Sequence, residues 1–361
     1  MSHDSRVAAL DSLLEDAGLD AVLATKDASI AYLTGFWGLQ MERFFGVTVR
    51  RGGEGALIAP SLDRDSVGAA PTGLEKALYD AAKTNGLSTL YDTFGSAKRI
   101  GVEEDHFIWA RAQALADAGY ELVPASHLIM ELRAAKDAEE IAAVKHACAQ
   151  IIAVYEEVWA DLKVGDTEAD VNAKAAYSLA CRGGSHPGPH ILFGAHAGDP
   201  HGSPGDRKLA EGDVIVADIA AQFAGYWGDM TRVAHAGTPS DWAAKAWDVV
   251  KEAYDDAVAA TKVGNTARDV DQAQRVIVEA HPEIGACLHG AGHAIGTEIH
   301  EPPFLVATSE IPLREGMIFT VEPGIYDSER GGIRLEDDIL VGPDGPVNLS
   351  PSALDLRVVG S

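Results

Sequence analysis

The chain has 361 residues, 47% of them hydrophobic, and a formal net charge of -26 at pH 7. That length exceeds one ordinary core, so two domains are expected, and an acid excess with no basic stripe excludes nucleic acid and anionic membranes as natural partners. No run approaches the roughly 18 apolar residues that span a bilayer, and no apolar segment follows MSHDSR as a leader would require. The three cysteines, Cys148, Cys181 and Cys287, lack CxxC spacing, which suits buried thiols in a reduced, cytoplasmic setting.

In chain order, RVAALDSLLEDAG predicts a helix, DAVLAT, GVTVR and GALIAP predict strands, and GLEKALYDAAKT predicts a second helix. IGVEED is a strand, followed by another helix and the strand ELVPA. This alternation describes an α/β domain over 1–130 with an open sheet. A long helical pattern then runs from ELRAAKDAEEIAAVKHACAQ, and the charged joint near residue 130 suits a linker into a second domain over 131–361.

The second part contains a repeat. KVGDTEADV at 163–171 and KVGNTARDV at 262–270 share six of nine residues, each after a helix of about two dozen residues and before an apolar-periodic helix. Gly165 and Gly264 suit the position just past a helix, and Asp166-Thr167 and Asn265-Thr266 supply N-cap chemistry for the next one. Glycine-rich strand segments follow each copy, at 189–235 and 285–342. The implied architecture is two α/β halves related by a pseudo-twofold, with a cleft where their sheets meet.

Within the first strand segment, DIAAQFAGYWGDMTR at 218–232 reads as a hairpin. A two-residue turn at Phe223-Ala224 would set Asp218 directly opposite Asp229, roughly 5 Å apart at Cβ. Two carboxylates that close require either a proton on one or cations between them. Within the second segment, HGAGHAIGTEIHEPP at 289–303 carries His289, His293 and His300. Its glycines and prolines rule against a helix and favour a loop and short strand that approach a site closely. MIFTVEPGIY ends a strand at Glu322, and GGIRLEDDILV places Glu336 inside a strand, with Arg334 on the same face. Singly, each of these is an ordinary turn or edge residue. Jointly, four carboxylates and a histidine beside apolar strands are costly to bury without cations. Two divalent ions would neutralise Asp218, Asp229, Glu322 and Glu336 and could carry an activated hydroxide between them. Oxygen-rich ligation with one imidazole points to Mn(II), Co(II) or Fe(II) rather than structural zinc.

These residues resemble the pita-bread metallopeptidases, which include prolidase, aminopeptidase P and methionine aminopeptidase. The resemblance covers nearly the whole chain and is carried by DIAAQFAGYWGDMTR, HGAGHAIGTEIHE, TVEPGIY and GIRLED. It implies an α+β fold: a pita-bread catalytic domain with its pseudo-twofold repeat, preceded by a smaller creatinase-like α/β domain. It assigns Asp218 to one metal ion, His293 and Glu322 to the other, and Asp229 and Glu336 as bridges. The ions per subunit would be two, Mn(II) or Co(II), with Zn(II) or Fe(II) as alternatives. His201 would help bind and polarise substrate, His289 and His300 would move protons and stabilise substrate, Glu322 would act in proton transfer, and Arg334 would sit behind the ligands. YLTGFWG at 32–38 resembles a segment that reaches a neighbouring subunit, which implies a homodimer.

The chain departs from relatives in HPGPHILFGAHAGDPH, which adds His186, His190 and His196; pocket lining or surface is the expectation over an auxiliary metal site. The expected activity is hydrolysis of the bond between an N-terminal residue and proline in short peptides, as a dipeptidase or an aminopeptidase P. Phe193, Tyr226 and Trp227 are candidates to hold the proline ring. The alternatives are an enzyme of the same fold cleaving a C–N or C–S bond of a small osmolyte-like substrate, and a metal-free binding protein.

Overall fold

In the computed structural model, which describes residues 1–359, the strands of the unit Met1–Arg133 form one six-stranded sheet. Their order is Glu75–Tyr79, Gly55–Pro60, Gly46–Arg50, Ala21–Ala24, Arg99–Val102 and Glu121–Pro124. Gly46–Arg50 is antiparallel to both neighbours and the other pairs are parallel. The helix expected over GLEKALYDAAKT is absent: its first half is the edge strand Glu75–Tyr79, which buries Ala77 and Tyr79 and exposes Glu75 and Leu78. Pairing with Gly55–Pro60 satisfies that backbone, so a tertiary partner overrides the local helix propensity. The helix Asp27–Thr34 was not expected from the sequence, because Lys26 at its N-cap makes no side-chain cap. Its start is fixed from 77 residues away: the buried Glu103 accepts from Lys26 N at 2.8 Å and Thr25 N at 2.5 Å, just before the helix, and from the Ser29 hydroxyl at 2.5 Å within it.

The long helical pattern after residue 130 is two helices, Ser126–Ala134 and Ala138–Asp161. Asp137 starts the second with a capping box, accepting from Glu139 N and Glu140 N while Glu140 reaches back to the Asp137 amide. A capping box halts an upstream helix whatever the apolar period says.

In the unit from Ala134 onward, both repeat copies build a helix pair: Ala138–Asp161 with Glu168–Cys181, and Asp241–Ala260 with Ala267–Val278. Thr167 and Thr266 cap the short helices, accepting from Asp170 N and Asp269 N. Gly165 and Gly264 do not follow the long helices directly. Those end at Leu162 and Thr261 in non-helical cap conformations, and the glycines turn the chain three residues later. One sheet carries Arg357–Val359, Tyr226–Ala236, Val214–Phe223 and Ser185–Phe193, and a second carries Glu301–Leu305, Gly292–Ala294, Ile318–Val321, Asp337–Gly342 and Gly345–Asn348. The hairpin Gly324–Asp327 and Gly331–Arg334 completes the strands. Apolar layers anchored by Ile151, Ile219 and Met230 and by Ala294, Phe319 and Val321 pack beneath the two sheets.

Of the three free cysteines, Cys148 is buried and Cys287 half-buried, but Cys181 is exposed at the end of its helix, contrary to expectation. Among the described residues, no helix is long and apolar enough to cross a membrane.

Candidate active site

The hairpin Val214–Phe223 and Tyr226–Ala236 turns at Ala224-Gly225, one residue later than expected. Both residues take positive φ, 50° and 85°, a two-residue turn whose twist matches the strands and whose second position favours glycine. Asp218 therefore pairs with Thr231, and Asp229 with Ala220. The two aspartates are diagonal neighbours rather than direct partners, yet still share one face, because a register change of two residues preserves the pleat. Beneath them the Tyr155 hydroxyl lies 2.8 Å from Ala217 O and holds the hairpin on the helix Ala138–Asp161.

The second half supplies the opposite wall. Gly292 has φ 147° and passes so close to Thr320 that a Cβ there would lie 2.0 Å from its carbonyl oxygen. This approach brings His293 beside Glu322, with His293 Nε2 3.6 Å from Glu322 Oε1. His293 Nδ1 donates to Ala294 O at 3.1 Å, which leaves the Nε2 lone pair facing the acids. Glu336 is not inside a strand as expected. It lies between Gly331–Arg334 and Asp337–Gly342, where a single bridge to Thr231 joins it to the hairpin. The Thr231 hydroxyl donates to Glu336 Oε2 at 2.6 Å, and Arg232 Nη1 donates to the Glu336 carbonyl at 2.7 Å. Two consecutive hairpin residues thus hold Glu336, one by its carboxylate and the other by its main chain.

Ligand-type atoms converge in three overlapping groups, each within 4.8 Å: Asp218, Asp229 and Glu336; His293, Glu322 and Glu336; and Asp229, His293 and His300. Burial, reinforced by Glu336 and Asp218, pushes the Asp229 carboxyl well above its ordinary range, and burial with Glu322 and Asp218 does the same to Glu336. Burial lifts Glu322 to about 7, with Arg334 opposing and Asp218 adding. It lowers His293 to about 3, helped by His300, and His289 to about 4. Asp229 Oδ1 is buried with no partner. Acids that cannot all ionise beside imidazoles that cannot protonate make a site that wants cations.

His201, His289, His293, His300, Asp218, Asp229, Glu322, Arg334 and Glu336 all line one cleft of about 720 Å³. Arg334 donates to Asp218, to Thr231 Oγ1 at 2.9 Å and to the Tyr326 hydroxyl at 2.9 Å. That hydroxyl in turn donates to His289 Nε2 at 2.7 Å, while His289 Nδ1 donates to Gly290 O at 2.8 Å. Phe193, Tyr226 and Trp227 do not line the cleft. Phe193 is buried core, and the other two pack against that core, Tyr226 donating to Glu140 Oε1. The apolar wall is Pro200, Leu288, Phe304 and Val306 instead. Thr231, Arg232, Tyr326 and Asp338 were missed in the sequence. Thr231 was findable, being two residues beyond Asp229 on the same strand face. Asp338, which accepts from Cys148 Sγ at 3.0 Å and Asp229 N at 3.3 Å, gave no local signal beyond the acid doublet.

Residues 142–343 match metallopeptidase family M24, and residues 6–135 match the creatinase/prolidase N-terminal domain. The chain belongs to metallopeptidase family M24. As a member of it, the protein is a metallopeptidase with the pita-bread fold behind a creatinase-type domain, and the family implies divalent metal ions. It is 33% identical over 361 residues to the probable dipeptidase PepE of Mycobacterium tuberculosis, covering 98% of this chain and 96% of the relative. Among solved structures it is similar to an Xaa-Pro dipeptidase from Bacillus anthracis, with a TM-score of 0.91, 27% identity, and 99% and 100% of the two chains covered. It is also similar to the dipeptidase PepE of Mycobacterium ulcerans, with a TM-score of 0.89, 31% identity, and 100% and 98% covered.

Proposed function

We propose that this metallopeptidase hydrolyses the bond between an N-terminal residue and proline, using two divalent ions. The observation that carries the reading is the convergence of Asp218, Asp229, His293, Glu322 and Glu336 around the partnerless, buried Asp229 Oδ1. The donor set fits the ions: four carboxylates balance two divalent charges, and the oriented His293 Nε2 adds one imidazole. Asp218 would serve one ion, His293 and Glu322 the other, with Asp229 and Glu336 shared. When bound, the ions supply Lewis acidity and an activated water. Mn(II) or Co(II) suits this oxygen-rich set best.

The chain's own residues do the rest. Arg334 and Tyr326, anchored by His289, hold Asp218 in place, because both ring nitrogens of His289 are engaged. His201 and His300 are exposed at the cleft and are assigned to the substrate carbonyl and terminal carboxylate. Proline has no amide hydrogen, so its pocket needs no acceptor there. The wall of Pro200, Leu288, Phe304 and Val306 offers the ring apolar contact.

We favour a dipeptide substrate because relatives matched along nearly their full length are named dipeptidases. Exposed Trp37, Leu39 and Met41, on the segment after Gly35, are the surface of the first unit that a second copy would cover in a homodimer. The protein is expected to act in the cytoplasm. The histidine stretch gives the osmolyte-like alternative no support, since His190 and His196 hold their own loop.

Chelated enzyme restored with Mn(II) or Co(II) should cleave Ala-Pro and hardly cleave Ala-Ala, and peptides of two, three and five residues should show the dipeptide as best. Equal rates on Ala-Pro and Ala-Ala would reject proline specificity, and no hydrolysis with any divalent ion would reject the reading.

A further inference from the structure

The loop Gly194–Gly205 carries His201 and begins where the strand Ser185–Phe193 ends. Its two ends meet at one fully buried carboxylate. Glu168, the first residue of the helix Glu168–Cys181, accepts from Phe193 N at 2.9 Å, from His196 Nδ1 at 2.8 Å and from Gly205 N at 3.2 Å. The middle of the loop is held as well. His190 Nε2 donates to Gly202 O at 2.5 Å, and the His196 ring packs so closely that a Cβ on Gly202 would lie 2.7 Å from its Nε2. His190 and His196, both from the histidine-bearing stretch, therefore sit against the residue after His201.

The duplicated unit repeats the device. Asn172, at the tenth position counted from Lys163, grips Ile191 through both its amide and its carbonyl, at 2.9 Å each. Asp271, at the same position counted from Lys262, accepts from Ala291 N at 3.1 Å, between His289 and His293. Each short helix thus presents a buried polar side chain that clamps the glycine-rich segment feeding the cleft. The first copy adds Glu168 where the second has Ala267.

We infer that Glu168, with His196 and His190, is a positioning cradle that fixes His201 over the cleft; Glu168 and His196 act from outside the cleft, while His190 also lines it. The inference rests on the proposed assignment of His201 to substrate. A loop left free by about 1 Å would lose much of that residue's effect, since misplacement of this size costs up to about 10²-fold.

Glu168→Gln keeps the length and one acceptor oxygen but turns an amide NH₂ towards the loop's donors. With a bound metal content equal to the parent's, amides in 194–205 should exchange about tenfold faster, as the loss of one buried hydrogen bond predicts. kcat/KM on Ala-Pro should fall about tenfold or more. In a His201→Ala background, the same change should cost less than about twofold, because residues acting through one another are not additive. His196→Ala provides the same cycle should Glu168→Gln fail to fold. Unchanged exchange in 194–205, or an equal loss with and without His201, overturns the inference. Absence of Ala-Pro hydrolysis by the parent would instead sink the proposed function, and the exchange arm would still decide whether Glu168 holds the loop.

Discussion

Replacing Glu322 with glutamine in the metal-free protein tests what one partly buried carboxylate does to stability. Burial, with Asp218 adding and Arg334 opposing, lifts this carboxyl from 4.5 to about 7. At about 1.4 kcal/mol per pH unit, that ties about 3 kcal/mol of folding free energy to one proton. The folded protein keeps this proton between pH 4.5 and about 7, where the unfolded chain has released it. The stabilisation is therefore full below 4.5 and lost as pH rises through about 7. Glutamine does not titrate, so the apo Glu322→Gln protein should match apo parent near pH 4, give or take the isosteric change, and exceed it by about 3 kcal/mol near pH 8. His289 and His293, held neutral by burial, work the other way: their contribution is lost as pH falls through the ordinary histidine value. Both proteins carry them, so they cancel in the difference, whereas Glu336 and Asp229, which Glu322 also pushes up, relax in the variant and add to its gain at high pH. Urea unfolding should be read by hydrogen exchange at Ile318–Val321, inside this unit's own core, so that the first unit's unfolding does not enter. A parent-to-variant difference that is the same at both pH values would refute the reasoning.

The other expectations concern the same centre. Asp229→Ala or Glu336→Ala should abolish peptidase activity and lower metal content from about two ions per chain, measured by elemental analysis, since each removes a proposed shared ligand. His201→Ala or His300→Ala should lower turnover roughly 10²-fold with metal retained, and metal loss would mean they ligate instead. Mixing Mn(II) with the apo protein near pH 6 should release protons into weakly buffered solution, because ligands must ionise and Glu322 is still protonated there; near pH 9 the release should shrink. Gly292→Ala should destabilise the second unit by roughly 1–3 kcal/mol or more and weaken metal binding, because a Cβ would meet the Thr320 carbonyl and φ would be strained; an unchanged melting temperature would count against the close approach.

Much of the site was legible because its residues come in short local blocks. Asp218 and Asp229 lie on one hairpin, His289 to His300 on one glycine-rich loop, and Glu322 with Arg334 and Glu336 on adjacent strand ends, so spacing and neighbours carry the signal. The duplication was legible for the same reason, as turn and cap chemistry is written within nine residues of each copy. The turn at Ala224-Gly225 was misread by one residue, although Gly225, suited to the positive φ of such a turn's second position, was a local signal against Phe223-Ala224.

What the sequence by itself determined is therefore the inventory: which acids and imidazoles are present, that they sit beside apolar strands, and that two similar halves must meet. Only the tertiary structure decided how they are held. The helix Asp27–Thr34 depends on Glu103, Glu336 on Thr231 and Arg232, and the loop of His201 on Glu168. In each case the partner lies tens of residues away or more, and the groups joined are main-chain donors or buried carboxylates, whose need for a partner is absolute but whose choice of partner leaves no periodic trace in the chain.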